Sequence, residues 1–182
     1  MDQETAGILA DECAFSHYGF FRAQDLVFMP EVRDMCTADK CGKYGKYWTC
    51  PPACGTLEDA ARRVSHFSWG ILLQSTGLME DAFDAETLME TEDAQKARFE
   101  AFVQKLRATQ PAGSFLPMSS GGCSICGKCT YPDAPCRFPD RAIPSMEALG
   151  LMVNDVCKLS GIPYYYGRNT ITYSACVLFQ DA

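Results

Sequence analysis

A chain of 182 residues, 47% of them hydrophobic, carries enough apolar side chain for one domain with a real core. Its formal net charge of −7 argues against a broad nucleic-acid or anionic-membrane footprint, which needs a basic surface. No apolar run approaches the roughly 20 residues that span a bilayer, and the acidic start around Asp2 and Glu4 lacks the bases of a secretory leader, so a cytoplasmic location is expected.

Residues 2–18 read as a first helix, with Ile8, Leu9, Cys13 and His17 toward the core. Leu26–Met29 reads as a short strand stopped by Pro30. A cysteine-rich segment follows, in which Gly42, Gly45, Pro51 and Pro52 disfavour regular structure. Thr56 and Asp59 have the spacing of a capping box, so a helix is expected from there to His66. Ser68–Thr76 has the length and apolar content of a buried strand.

Residues 80–93 hold seven acids and no base, so the charge excess lies away from the cysteines. Thr87 and Glu90 repeat the capping spacing, and Leu88, Phe99, Phe102, Val103 and Leu106 recur at helical intervals, predicting a long amphipathic helix over 87–109. Phe115–Met118 is a candidate extended segment. Gly121 and Gly122 lead into a second cysteine-rich run. Ser145–Ser160 reads as a helix with Gly161 as its C-cap, Ser145 capping its start and Glu147 complementing the dipole. Thr170–Phe179, β-branched and aromatic, reads as the last strand. The expected architecture is α/β or α+β: a small sheet with flanking helices, forming a single domain over 1–182 with cysteine-rich loops at about 36–54 and 121–139.

Eleven cysteines in a chain expected in the reducing cytosol point to metal rather than disulfides. Eight fall in two blocks: Cys36, Cys41, Cys50 and Cys54, then Cys123, Cys126, Cys129 and Cys136. Cysteines at every third position can turn three sulfurs onto three iron corners of a cubane, and Cys123, Cys126 and Cys129 match the ferredoxin spacing. The fourth ligand is open: Cys136 through the Pro-rich turn, or Cys50, whose following Pro51 resembles a ferredoxin terminus. Zinc is the rival metal. It favours two cysteine pairs, whereas here the middle cysteine belongs to both. The first block fits a second [4Fe-4S] cluster, a zinc ion or a plain loop.

Lys40, Lys43 and Lys46 can offset the negative charge of a thiolate-ligated centre or attract an acidic redox partner, although a solvated basic loop explains them more simply. Tyr44, Tyr47 and Trp48 can exclude water from a centre. Cys13, Cys157 and Cys176 fall on helices or strands and read as buried apolar residues. His17 and His66 have no metal-ligand spacing, and no nucleotide-binding or nucleophile-elbow motif occurs. The Tyr164–Tyr166 run and Arg168 are candidate pocket residues.

Cys41 to Pro52, Cys123 to Arg137, Pro144 to Val153 and Asn169 to Tyr173, in that order, resemble the family of predicted metal-binding proteins, a domain of unknown function. The resemblance implies a metal-binding framework of all eight block cysteines and no settled reaction. The leading expectation is an iron–sulfur protein with one or two [4Fe-4S] clusters, passing electrons to a redox protein partner, with no nucleic-acid or membrane partner. The alternatives are an enzyme with an open iron acting on a small molecule, and a zinc-stabilised interaction module.

Overall fold

In a computed structural model describing residues 1–181, five helices surround a four-stranded sheet. In chain order these are α1 (Gln3–Glu12), β1 (His17–Arg22), α2 (Pro30–Thr37), α3 (Leu57–Val64), β2 (Trp69–Leu78), α4 (Ala85–Thr109), β3 (Phe115–Met118), α5 (Val153–Leu159) and β4 (Thr170–Phe179). The strand order is β1-β2-β4-β3 and every pairing is antiparallel, so the fold is α+β. No helix is long and apolar enough to cross a membrane among the described residues.

Both faces of the sheet are covered, which is why β2 and β4 are near-continuous apolar runs rather than alternating ones. Ile71, Leu73, Ala175 and Val177 pack under α1 and α4, against Phe99, Phe102, Val103 and Leu106. Leu72, Cys176 and Leu178 face the other way, against Met146, Leu149, Leu151 and Val156. Each large side chain so enclosed contributes about 1.5–3 kcal/mol. Cys13, Cys157 and Cys176 are all core residues, as their apolar neighbours in the sequence indicated.

Three expected elements are shorter or differently placed. The first helix stops at Glu12, not at 18: Ala14 is left-handed (φ 59°), and the Phe15 N–H returns to the Ala10 carbonyl, a Schellman stop. Ile8 is therefore exposed, Ala6 and Ala10 form the buried face, and His17 opens β1. Leu26–Met29 is not a strand. Only Phe28 makes a bridge, to Leu151, and Pro30 starts α2 instead of merely ending a strand, where its missing N–H costs nothing. The helix expected over 145–160 is broken at Gly150 (φ 87°) into a single turn and α5. A Cβ at Gly150 would collide with Leu57.

The capping box at Thr56 and Asp59 is present in full, with mutual bonds of 3.0 and 3.1 Å. At α4 the cap is Asp84 rather than Thr87. Its carboxylate accepts the Thr87 N–H at 3.0 Å, so the helix begins two residues earlier than its apolar pattern indicates.

Candidate metal centre

The two cysteine blocks are built as separate loops, one after α2 and one after β3. The first starts on α2, whose last turn carries Cys36. Asp39 then turns the chain in a left-handed conformation, and its carboxylate accepts the Tyr44 N–H at 2.9 Å and the Lys46 ammonium at 2.7 Å. Gly45 N–H reaches the Pro51 carbonyl at 2.9 Å, and Cys54 N–H the Cys50 carbonyl at 3.1 Å. Arg33 closes the block from α2, donating to the Gly55 carbonyl at 2.8 Å.

The second block hangs from the end of β3. The Ser119 N–H donates to the Pro144 carbonyl at 2.9 Å, closing the loop at its base. Inside it, Ala134 N–H bonds the Thr130 carbonyl, and Arg137 donates to the Lys128 carbonyl at 2.9 Å. These bonds fold the Pro-rich turn back so that Cys123, Cys126, Cys129 and Cys136 all line one small cavity of about 20 Å³. Ile125 and Phe138 complete its wall from the same loop; Tyr47, Trp48 and Thr49 come from the first block.

Within the first block, Cys36 lies in the electrostatic reach of Cys41 and Cys54, and so does Cys50. Cys123 feels Cys126 and Cys129. The thiol neighbours of each of these three cysteines thus belong to its own block. Cys136 shares a cavity with Cys123, Cys126 and Cys129, whereas the thiol neighbours of Cys50 are Cys41 and Cys54.

Lys43 links the two blocks. Its ammonium donates to the carbonyls of Gly122 at 3.0 Å and Cys123 at 2.8 Å, lies over the Tyr47 ring, and is an electrostatic neighbour of both Cys50 and Cys123. A Cβ at Gly122 would run into its aliphatic stem. The solvated-loop reading therefore fails for Lys43, because the carbonyls it ties lie far away in sequence. Lys46 is spent on Asp39. Trp48 makes the second link, donating to the Ala134 carbonyl at 3.1 Å and meeting Tyr131 edge-on.

Burial raises the Cys123 thiol above its ordinary range, opposed by the Ile125 N–H and Lys43. Burial likewise pushes Cys50 up to about 11, Cys36 up with help from Cys41, and Cys54 up against the pull of Arg33. The Thr49 hydroxyl offsets part of the Cys50 shift without a hydrogen bond of normal geometry. Among the described residues, three buried side-chain polar atoms lack a partner, and two of them, Arg33 Nη1 and Thr49 Oγ1, border the cysteine groups. Such an atom costs about 1–3 kcal/mol unless something accepts its bond.

Among the described residues, no three His, Cys, Asp or Glu side chains stand close enough to hold a metal ion as they are. The sulfurs line their cavity without meeting at a point, so loading would draw them inward and release their protons. The donor set is nonetheless of one chemical kind, four thiols around an apolar-walled space with an unpaired hydroxyl at its rim. That set suits a soft, thiophilic metal.

The other candidates lie elsewhere. Tyr166 donates to the Gln74 side chain at 2.7 Å and stacks on His17 with ring centroids 4.1 Å apart. Gln74 in turn bonds Ser174 and Cys157, so Tyr166 and His17 belong to a polar cluster on the sheet. Tyr164 and Tyr165 are exposed. Ser145 Oγ accepts the Ala148 N–H at 3.2 Å, but the N-cap position of the turn is Met146, which has no side-chain cap bond. Thr49 and Arg33 carry no sequence signal of their own, whereas Lys43 stood out as one of three lysines among the cysteines.

The chain matches no curated protein and no solved structure. A family model described as "Predicted metal-binding protein (DUF2284)" matches residues 19–179, a span that contains all eight block cysteines. The chain belongs to this family of predicted metal-binding proteins.

Proposed function

We propose that this is an iron–sulfur protein that carries electrons. Cys123, Cys126, Cys129 and Cys136 hold a [4Fe-4S] cluster, and Cys36, Cys41, Cys50 and Cys54 hold a second centre. The observation that carries this reading is the shared cavity: three thiols at ferredoxin spacing and a fourth from the Pro-rich turn line the same space.

When bound, such a cluster supplies one-electron chemistry. The chain's own residues do the rest. Four thiols give a complete ligand set, which favours electron transfer over substrate chemistry at an open iron. Tyr47, Trp48 and Phe138 wall the cavity against water, and restricted water access is one of the levers that set a potential. The Thr49 hydroxyl offers a hydrogen bond to sulfur, and Lys43 sets positive charge beside Cys123. An electron carrier of this kind implies a redox protein partner that supplies or accepts its electron.

Protein purified without oxygen is expected to be brown, with broad absorbance in the blue that bleaches with dithionite. Colourless protein carrying stoichiometric zinc and no sulfide contradicts the proposal and favours a zinc-stabilised fold.

A further inference from the structure

A second cavity, of about 110 Å³, lies between α4 and the segment that leads into the second block. Its chemistry differs from that of the cysteine cavity. Lys96, Arg107 and Arg141 line it against a single acid, Glu100, in a chain whose formal net charge is −7. Each base is held by one partner: Lys96 by Glu92 at 2.6 Å, Arg141 by Glu100 at 2.6 Å, and Arg107 by the Asp140 carbonyl. A guanidinium has five N–H donors and an ammonium three, so each anchored base keeps donors for a ligand.

The floor is apolar, formed by Phe99 and Val103, and the Ser124 hydroxyl stands at the rim. An apolar floor with convergent charged donors is the chemistry of a small-molecule site. Cys123 and Ile125 line both this cleft and the cysteine cavity, so the two share a wall.

We propose that this cleft binds a small organic anion, bearing a carboxylate or phosphate group, against the back of Cys123. Arg107 and Arg141 grip the oxyanion, Lys96 adds charge, and Phe99 and Val103 pack on the carbon skeleton. The site itself does not require the cluster; only its coupling to the redox centre rests on the iron–sulfur reading.

The test is calorimetric titration of the whole, anaerobically purified protein with succinate and with glycerol 3-phosphate, using glycerol as the uncharged control. At least one anion binds saturably and more weakly at higher salt, which also tells the carboxylate class from the phosphate class. Arg107→Gln and Arg141→Gln each weaken it by about tenfold or more. Lys105→Gln, which removes the same charge from the same helix outside the cleft, leaves it unchanged. Binding also alters the electron paramagnetic resonance spectrum of the reduced protein.

No saturable binding of either anion overturns the proposal, as does binding indifferent to both arginine variants or equally lost in Lys105→Gln. A loaded protein whose spectrum ignores a bound anion overturns the coupling to Cys123. Iron and sulfide are assayed on the same sample. Anion binding without iron sinks the iron–sulfur reading alone, and iron without anion binding sinks the cleft alone.

Discussion

The Lys43 ammonium donates to the Cys123 carbonyl at 2.8 Å, so a side chain of the first cysteine block holds the backbone of the second at its first thiol. A charged donor in this position does two things: it fixes the loop and it stabilises negative charge on sulfur.

Lys43→Met keeps most of the stem's volume and removes both bonds. We expect it to lower unfolding free energy by about 1–3 kcal/mol in urea titration and to release iron faster under air. An unchanged stability would mean the link to Gly122 and Cys123 does not form in solution.

The two thiol groups sit on different loops, with Cys54 and Cys136 lining one cleft between them, so their replacements should sort into two classes. Cys136→Ser is expected to lose the iron of the second group and keep that of the first, and Cys36→Ser the reverse. Cys13→Ala should lose neither, since Cys13 is buried with Phe15 and Phe102 in the core under α1 and α4. Iron content per chain for each variant checks all three.

Thr49 provides a thermodynamic contrast. Its buried hydroxyl has no partner in the metal-free chain, so Thr49→Val should stabilise the metal-free protein by about 1 kcal/mol. In the loaded protein the same change should lose that gain and shift the reduction potential. Paired melts of loaded and metal-free protein, with a potentiometric titration, decide it. Equal effects in both states would mean the hydroxyl never meets the centre.

Alkaline pH tests the core thiols. Burial raises Cys157 from an ordinary value near 9 to about 11, and raises Cys176 as well, with Glu147 adding to the shift. The unfolded chain therefore releases these protons first as pH rises. Their contribution to stability is full below about pH 8 and is lost as pH climbs from about 9 through 11. The slope is about 1.4 kcal/mol per pH unit for each thiol. Urea titrations between pH 8 and 10.5 should show this decline, and Cys176→Ala should flatten it.

Much of the fold was legible because its signals are local. The alternation-free run at Ser68–Thr76, the capping box at Thr56 and the apolar spacing from Phe99 to Leu106 each carry their own structure. What was not legible depends on backbone states without a residue signature. Ala14 takes a left-handed turn that glycine usually supplies, and so ends α1 early. Gly150 breaks a pattern that reads as continuous helix, because Leu57 from α3 needs the space a side chain would fill. At the site, the cysteine spacing pointed to the two groups, but not to their separation. That follows from the closure of the second loop by Ser119 and Pro144, and of the first by Arg33 and Gly55. Lys43 was indistinguishable from Lys46 in sequence; one bridges the blocks and the other pairs with Asp39.

Four thiols sharing one cavity are proposed to hold a [4Fe-4S] cluster. Iron and acid-labile sulfide per chain, measured with an electron paramagnetic resonance spectrum of the dithionite-reduced protein, test it most directly. Roughly four to eight irons with as many sulfides are expected, with a cluster signal that falls in Cys136→Ser. Iron-free, sulfide-free protein with bound zinc, or a signal untouched by Cys136→Ser, would contradict it.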